Sequence, residues 1–176
     1  MASYSKACRL KRRGFAGVIT IEDPHARAAR QLRFHSDPRP AHLVLRFEDL
    51  DAQHDGIRTP LISDVEQALA FAQAVGGPLL IHCYAGVSRS TAIALSIIAS
   101  RHPAGAERRA LDALLAIAAQ AVPNLLVVRH ADHLLRRNGA LFETVRAWDE
   151  SLPSNKIRRQ LNERAVLEEY QSLPLT

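Results

Sequence analysis

A chain of 176 residues, 47% of them hydrophobic, can form one domain around its own core. The 23 lysines and arginines exceed the 18 aspartates and glutamates by +5, a balance that suits anionic ligands without suggesting nucleic acid, and aromatic residues at 5% are too few for a base-stacking surface. The two cysteines, Cys8 and Cys83, argue against a disulfide scaffold or a zinc site, and neither a secretory leader nor a membrane-spanning run is visible, so the expectation is a soluble protein of the reducing cytoplasm.

In chain order, the β-branched stretch Val18-Ile19-Thr20-Ile21 predicts a short buried strand, and Asp23-Pro24 can cap and open a helix reaching about Leu32. Ser36-Asp37-Pro38-Arg39-Pro40 breaks the chain into a loop before a second strand, His42 to Phe47. An acidic loop, Glu48 to Gly56, follows. Thr59-Pro60 then opens a helix in which Ile62, Val65, Leu69 and Ala72 recur at helical spacing until Gly76-Gly77. Leu79-Leu80-Ile81 is continuously apolar, as a strand covered on both faces must be, and Ala92 to Ser100 is helical. The strand, helix, strand, helix order from Val44 to Ser100 predicts parallel pairing, and hence an α/β single domain with a mostly parallel sheet of about four to five strands.

The second half reads as helical. Segments at Ala106–Gln120 and Leu125–Arg137 are separated by Pro123-Asn124, which can cap, and the latter stops at Asn138-Gly139. Leu141 to Trp148 is a further short helix. A final amphipathic helix over 154–171 carries Ile157, Leu161 and Ala165 as a narrow apolar stripe, expected to pack within the chain.

The chemistry concentrates in Leu79-Leu80-Ile81-His82-Cys83-Tyr84-Ala85-Gly86-Val87-Ser88-Arg89-Ser90-Thr91. A strand ends in a thiol, a short loop brings a guanidinium round, and a helix begins. The backbone N–H groups from Tyr84 to Arg89 can curl into a nest beside the positive end of that helix, a shape that binds a tetrahedral oxyanion. Gly86 permits close backbone approach or positive φ, and Arg89 can clasp two phosphate oxygens as a planar fork. Cys83 lies beneath such an anion, in a positive field that also stabilises a thiolate. Singly, a strand-end cysteine is a core residue and a serine before a helix is a cap; the conjunction on one loop is what points to phosphate chemistry.

His82-Cys83-x-x-Gly86-x-x-Arg89-Ser90 resembles the signature loop of the cysteine-dependent protein tyrosine phosphatase superfamily, and Ala85-Gly86-Val87-Ser88-Arg89-Ser90 looks most like its dual-specificity branch. A weaker similarity to bacterial tyrosine-phosphatase-like proteins runs from Pro123-Asn124 to Gly139. The resemblance implies that Cys83 is the nucleophile, that Arg89 and the amides of Tyr84, Ala85, Gly86, Val87 and Ser88 bind phosphate, that His82 orders the loop, and that the Ser90 hydroxyl supports the thiolate as leaving group.

A departing ester oxygen needs a proton, so a carboxylic acid on a facing loop should accompany the cysteine. Asp49, Asp51 and Asp55 compete for that role. Leu45-Arg46-Phe47-Glu48-Asp49 resembles the place where dual-specificity phosphatases carry their acid, which favours Asp49, with Asp51 next and Asp55 third. No metal or other cofactor is required by this scheme. The substrate expected is a phosphoprotein or small phosphoester, with phosphotyrosine first and phosphoserine or phosphothreonine as further targets. Two rivals use the same loop: a phosphopeptide-binding module without useful turnover, and a rhodanese-type sulfurtransferase. His130 and His133 lack a third metal ligand at suitable spacing, His25, His35, His42, His54 and His102 form no cluster, and Arg136-Arg137 reads as a solvated face.

Overall fold

The protein is described by a computed structural model covering residues 1–9, 14–26, 31 and 40–172. The stretch around Val18 forms β2 (Gly17–Glu22), in which every residue is buried. β3 (Ala41–Arg46) runs parallel to it in register Val18 to His42 and Ile21 to Leu45, and β4 (Leu79–Cys83) runs parallel on its other side with Ile19 opposite Ile81. β-Branched side chains suit this doubly covered pleat. The strand–helix–strand unit from β3 through α2 (Ile62–Val75) to β4 therefore steps over an intervening strand: β3 and β4 are parallel but unpaired, with β2 between them.

The sequence reading missed the amino-terminal elements. Ala2–Ser3 forms β1 and Tyr4–Arg9 forms α1; β1 pairs parallel with the far side of β4, opposite His82 and Cys83, which gives the four-stranded order β1-β4-β2-β3. Two residues carry too little periodicity to signal a strand, and only their placement against β4 makes them one. Asp23 to Ala26 makes a turn, with the Ala26 N–H donating to Asp23 O at 3.0 Å, so the helix expected to open at Pro24 does not begin there; its remaining positions 27–30 and 32, and the loop 36–39, lie outside the described residues.

The second half is helical as expected: α3 (Arg89–Ser100), α4 (Glu107–Ile117), α5 (Leu125–Leu134), α6 (Ala140–Glu150) and α7 (Pro153–Ser172). α3 is nearly all buried and packs against α2, α4, α5 and β4. Ile93, Leu95, Leu111, Leu114, Val127 and Leu141 join Ile19 and Phe47 in the core. α2 ends at Gly76 in the left-handed conformation, φ 62°, where glycine carries no Cβ penalty.

Two expectations fail here. Arg137 is not part of a solvated face: it is buried, donates to the Ala99 carbonyl at 2.8 Å and the His102 carbonyl at 2.5 Å, and pairs with buried Glu107 at 3.3 Å. The stripe on α7 does not pack within the chain either, since Ile157 is 58% and Leu161 64% exposed, and Ala165 is exposed. α7 docks instead through a polar face. The Arg159 guanidinium grips Asp51 at 2.8 and 2.9 Å and Asp149 at 2.8 and 3.0 Å, and donates to the Pro123 carbonyl at 3.0 Å. A fork with two carboxylates in reach orients the helix more firmly than a three-residue stripe can.

Candidate active site

β4 delivers Cys83 to the end of the sheet, where its thiol is 2% exposed. The Gly86 N–H donates to Cys83 Sγ at 3.3 Å, and Ser90 Oγ lies 3.2 Å from the same sulfur. The sulfur is thus met by a backbone amide from the loop and by a hydroxyl from the first turn of α3. Gly86 has φ 75°, and a Cβ there would come within 2.5 Å of Ser3 N and 2.7 Å of the Ala2 carbonyl. The loop thus needs glycine for two reasons, its backbone conformation and the passage of β1 directly beside it. The Tyr4 N–H donates to the Tyr84 carbonyl at 3.0 Å, and the Val122 N–H to the Val87 carbonyl at 2.9 Å, fastening the loop from both sides.

Arg89 opens α3 and turns inward, 5% exposed. Its Nη1 donates to the Phe47 carbonyl at 2.8 Å and meets Asp23 Oδ1 at 2.6 Å, while Nε lies 3.8 Å from Asp49 Oδ2. Burial opposes the charge, but Asp49, Cys83 and Asp23 outweigh it and hold the guanidinium above the ordinary arginine range. Nε makes no hydrogen bond among the described residues, which leaves a buried donor beside the thiol loop for an anion.

His82 points into the sheet. Its Nε2 lies 2.9 Å from the Thr20 hydroxyl, which is also 2.8 Å from His42 Nε2. One hydroxyl can donate to only one of these nitrogens, so at least one imidazole carries its proton on Nε2. This chain from β4 through β2 to β3 ties the residue before the cysteine to the sheet. His42, which forms no cluster with the other histidines in sequence, is part of it through strand register alone.

The three aspartates of the acidic loop separate. Asp49 faces the loop after Cys83: its Oδ1 accepts from the Ser88 hydroxyl at 2.7 Å and from the Asn124 amide at 3.0 Å. Asp51 points to α5 and α7, accepting from the Leu125 N–H at 2.6 Å and from Arg159; burial pushes its carboxyl up, and Arg159 offsets part of that rise. Asp55 is exposed on a turn. Asn124 does more than cap α5 by accepting from the Val127 N–H at 3.0 Å, because its amide also donates to Asp49 and to the Leu50 carbonyl.

Two further acids carry no site role in the sequence, where Asp23 reads as a helix cap and Glu48 as part of the acidic loop. Asp23, at the end of β2, reaches Arg89. Glu48, 6% exposed, has its carboxyl pushed up to about 7, first by burial and then by Asp23, against the opposing pull of Arg89 and a hydrogen bond with Tyr170 of α7. Sequence spacing could not associate Asp23, Glu48 and Arg89, which come from three separate elements.

Two concavities flank the loop. A narrow one of about 20 Å³ reaches Cys83 and His82 between Tyr4, Glu22 and Asp23. A wide cleft of about 360 Å³ opens against Ala85, Val87 and Ser88, with Asp49 and Asp51 on one wall and Arg158, Arg159 and Asn162 of α7 on another. Among the described residues no group of three or more His, Cys, Asp or Glu side chains could hold a metal ion. Asp132, between His130 and His133, instead caps α6 by accepting from the Gly139, Leu141 and Phe142 N–H groups. No helix among the described residues is long and apolar enough to cross a membrane.

No protein-family model matches the chain, and no curated protein sequence does. Solved structures do. The human tyrosine phosphatase-like serine/threonine/tyrosine-interacting protein superposes with TM-score 0.56 at 22% identity, covering 79% of this chain and 88% of that one. Human DUSP28 gives 0.55 at 22% identity over 80% and 89%, and Tk-PTP in its active form 0.53 at 19% identity over 78% and 88%. The four-stranded parallel sheet, the helical second half and these superpositions together give the chain the fold of the cysteine-dependent protein tyrosine phosphatase superfamily.

Proposed function

We propose that the protein is a phosphomonoester hydrolase working through a cysteinyl-phosphate, with phosphotyrosine as first substrate and phosphoserine or phosphothreonine as further ones. The observation that carries this reading is the meeting of Cys83 Sγ, the Gly86 N–H and the Ser90 hydroxyl on one loop with the buried Arg89 guanidinium. The Cys83 thiolate attacks phosphorus and the P–O ester bond breaks. Arg89 and the amides of Tyr84 to Ser88 stabilise the equatorial oxygens, and Asp49 gives its proton to the departing alcohol or phenol. Water then attacks the cysteinyl-phosphate, Asp49 takes back a proton, the P–S bond breaks, and the thiolate returns with Ser90 supporting it. His82 acts on none of the reacting atoms; through Thr20 and His42 it positions the loop.

The loop positions Tyr84, Ala85, Val87 and Ser88 carry no Lys or Arg, which suits a phosphoprotein or small phosphoester over a highly charged lipid headgroup. A reducing compartment such as the cytoplasm suits a mechanism that needs the free thiol of Cys83.

Phosphopeptide binding without turnover is the second reading. It is favoured by the hydrogen bonds that tie Asp49 Oδ1 to the Ser88 hydroxyl and the Asn124 amide, which engage the acid that turnover needs and leave Cys83 and Arg89 untouched. Hydrolysis of an aryl phosphate across pH, with and without chelator, separates the two: chelator-insensitive turnover that disappears in Cys83→Ser supports the hydrolase. Phosphate binding with no turnover supports the binding module, and cyanide-dependent thiocyanate production would revive the sulfurtransferase.

A further inference from the structure

The wide cleft beside the loop has an uneven charge inventory. Asp49 is bonded to Ser88 and Asn124, Asp51 to Arg159 and the Leu125 N–H, and Arg159 to Asp51, Asp149 and the Pro123 carbonyl. Arg158 alone among the charged residues lining the cleft makes no hydrogen bond or ion pair with the described residues. Its backbone is nevertheless held. Arg159 clamps α7 at the next position, and Asn162, one turn on, donates to the Asp49 carbonyl at 2.5 Å. A free guanidinium thus stands over a cleft of about 360 Å³ whose opposite edge is Ala85, Val87 and Ser88, a volume within the range that holds side chains of a bound ligand.

Resting on the phosphatase reading, we propose that Arg158 is a specificity-determining residue that takes the carboxylate of an acidic residue flanking the phosphorylated residue of a peptide substrate. Cations in the loop itself would compete for the phosphate; one on α7, across the cleft, can bind a second anion while the first sits in the cradle. The planar fork suits a carboxylate, and none of the cleft's own carboxylates is bonded to Arg158, so the fork is open to an incoming one.

The test uses Cys83→Ser protein, so that binding is read without turnover, and two phosphotyrosine peptides differing only by glutamates or glutamines beside the phosphotyrosine, together with their unphosphorylated forms. The acidic phosphopeptide should bind about three- to fivefold tighter, the size of one partly exposed ion pair. Adding Arg158→Ala should erase that ratio, Arg158→Lys should restore part of it, and Arg158→Glu should invert it; a ratio between two peptides is not moved by a general loss of folding. Equal affinity in the Arg158 protein, or a preference that survives Arg158→Ala, overturns this assignment while leaving the phosphatase reading intact. If neither peptide needs its phosphate to bind, the phosphate-site reading fails and the assignment with it. A short-chain inositol bisphosphate that binds tighter than either peptide through Arg158 would overturn the peptide assignment in favour of a lipid headgroup.

Discussion

The two walls of the candidate site are built in opposite ways. The thiol wall is local: Cys83, Gly86, Ser88, Arg89 and Ser90 lie within one strand–loop–helix turn, and their mutual contacts span at most seven positions. The acid wall is assembled from afar. Asp49 is held by Asn124 across 75 positions and by Asn162 across 113, and Asp51 by Arg159 across 108. The residues proposed to stay fixed through the reaction lie on one short segment, while Asp49, the proposed proton donor, hangs on a loop that α5 and α7 hold in place.

The comparison predicts that a change to the thiol wall costs activity on every substrate or the fold itself, and that a change to the acid wall costs by an amount that depends on the leaving group. Arg89→Lys should lower kcat for an aryl phosphate by about 10²-fold or more, because an ammonium cannot reproduce the bidentate fork or the contact to the Phe47 carbonyl. Gly86→Ala should destabilise the fold by about 2–3 kcal/mol, since a Cβ meets the β1 backbone at 2.5 Å and the φ of 75° disfavours alanine; chemical denaturation measures it. Asp49→Ala should cost most for substrates with poor leaving groups, by about 10²-fold, and little for an activated aryl ester. A comparable leaving-group dependence in Asp51→Ala would reassign the acid.

Smaller effects fall on the supports. Arg159→Ala should lower stability by about 2 kcal/mol, because Asp51 and Asp149 are left without their shared cation. Glu48 gives a pH-dependent effect of definite sign. Its carboxyl, pushed up to about 7, binds its proton more tightly folded than unfolded, so its contribution is favourable below its ordinary value near 4.5 and is lost as pH rises through about 7. Glu48→Gln should therefore raise Tm at pH 8.5 by about 2–4 °C and change it little at pH 5.

The same division explains what was legible in the sequence. The apolar run Leu79 to Ile81, the Cys83-to-Ser90 spacing and the helix after it are local patterns, and β4, its loop and α3 follow from them. β1 was not legible because two residues become a strand only by lying against His82 and Cys83. The register that brings Thr20 between His42 and His82 is a property of three strands together, and the burial of Arg137 depends on the carbonyls of Ala99 and His102. On α7 the hydrophobic pattern misled: the docked face carries Asn155, Arg159 and Asn162, and its partners are carboxylates and carbonyls elsewhere in the chain, which periodicity does not register.

Trapping the covalent intermediate separates a cysteine hydrolase from every other reading of the site. Wild-type protein and Asp49→Ala are mixed with an activated aryl phosphate, quenched in acid within one turnover, digested and weighed by mass spectrometry. The cysteinyl-phosphate route leaves one phosphoryl group on the peptide bearing Cys83, more of it in Asp49→Ala, where hydrolysis of the intermediate is slowed, and none in Cys83→Ser. Turnover without that adduct, or turnover that persists in Cys83→Ser, would contradict it.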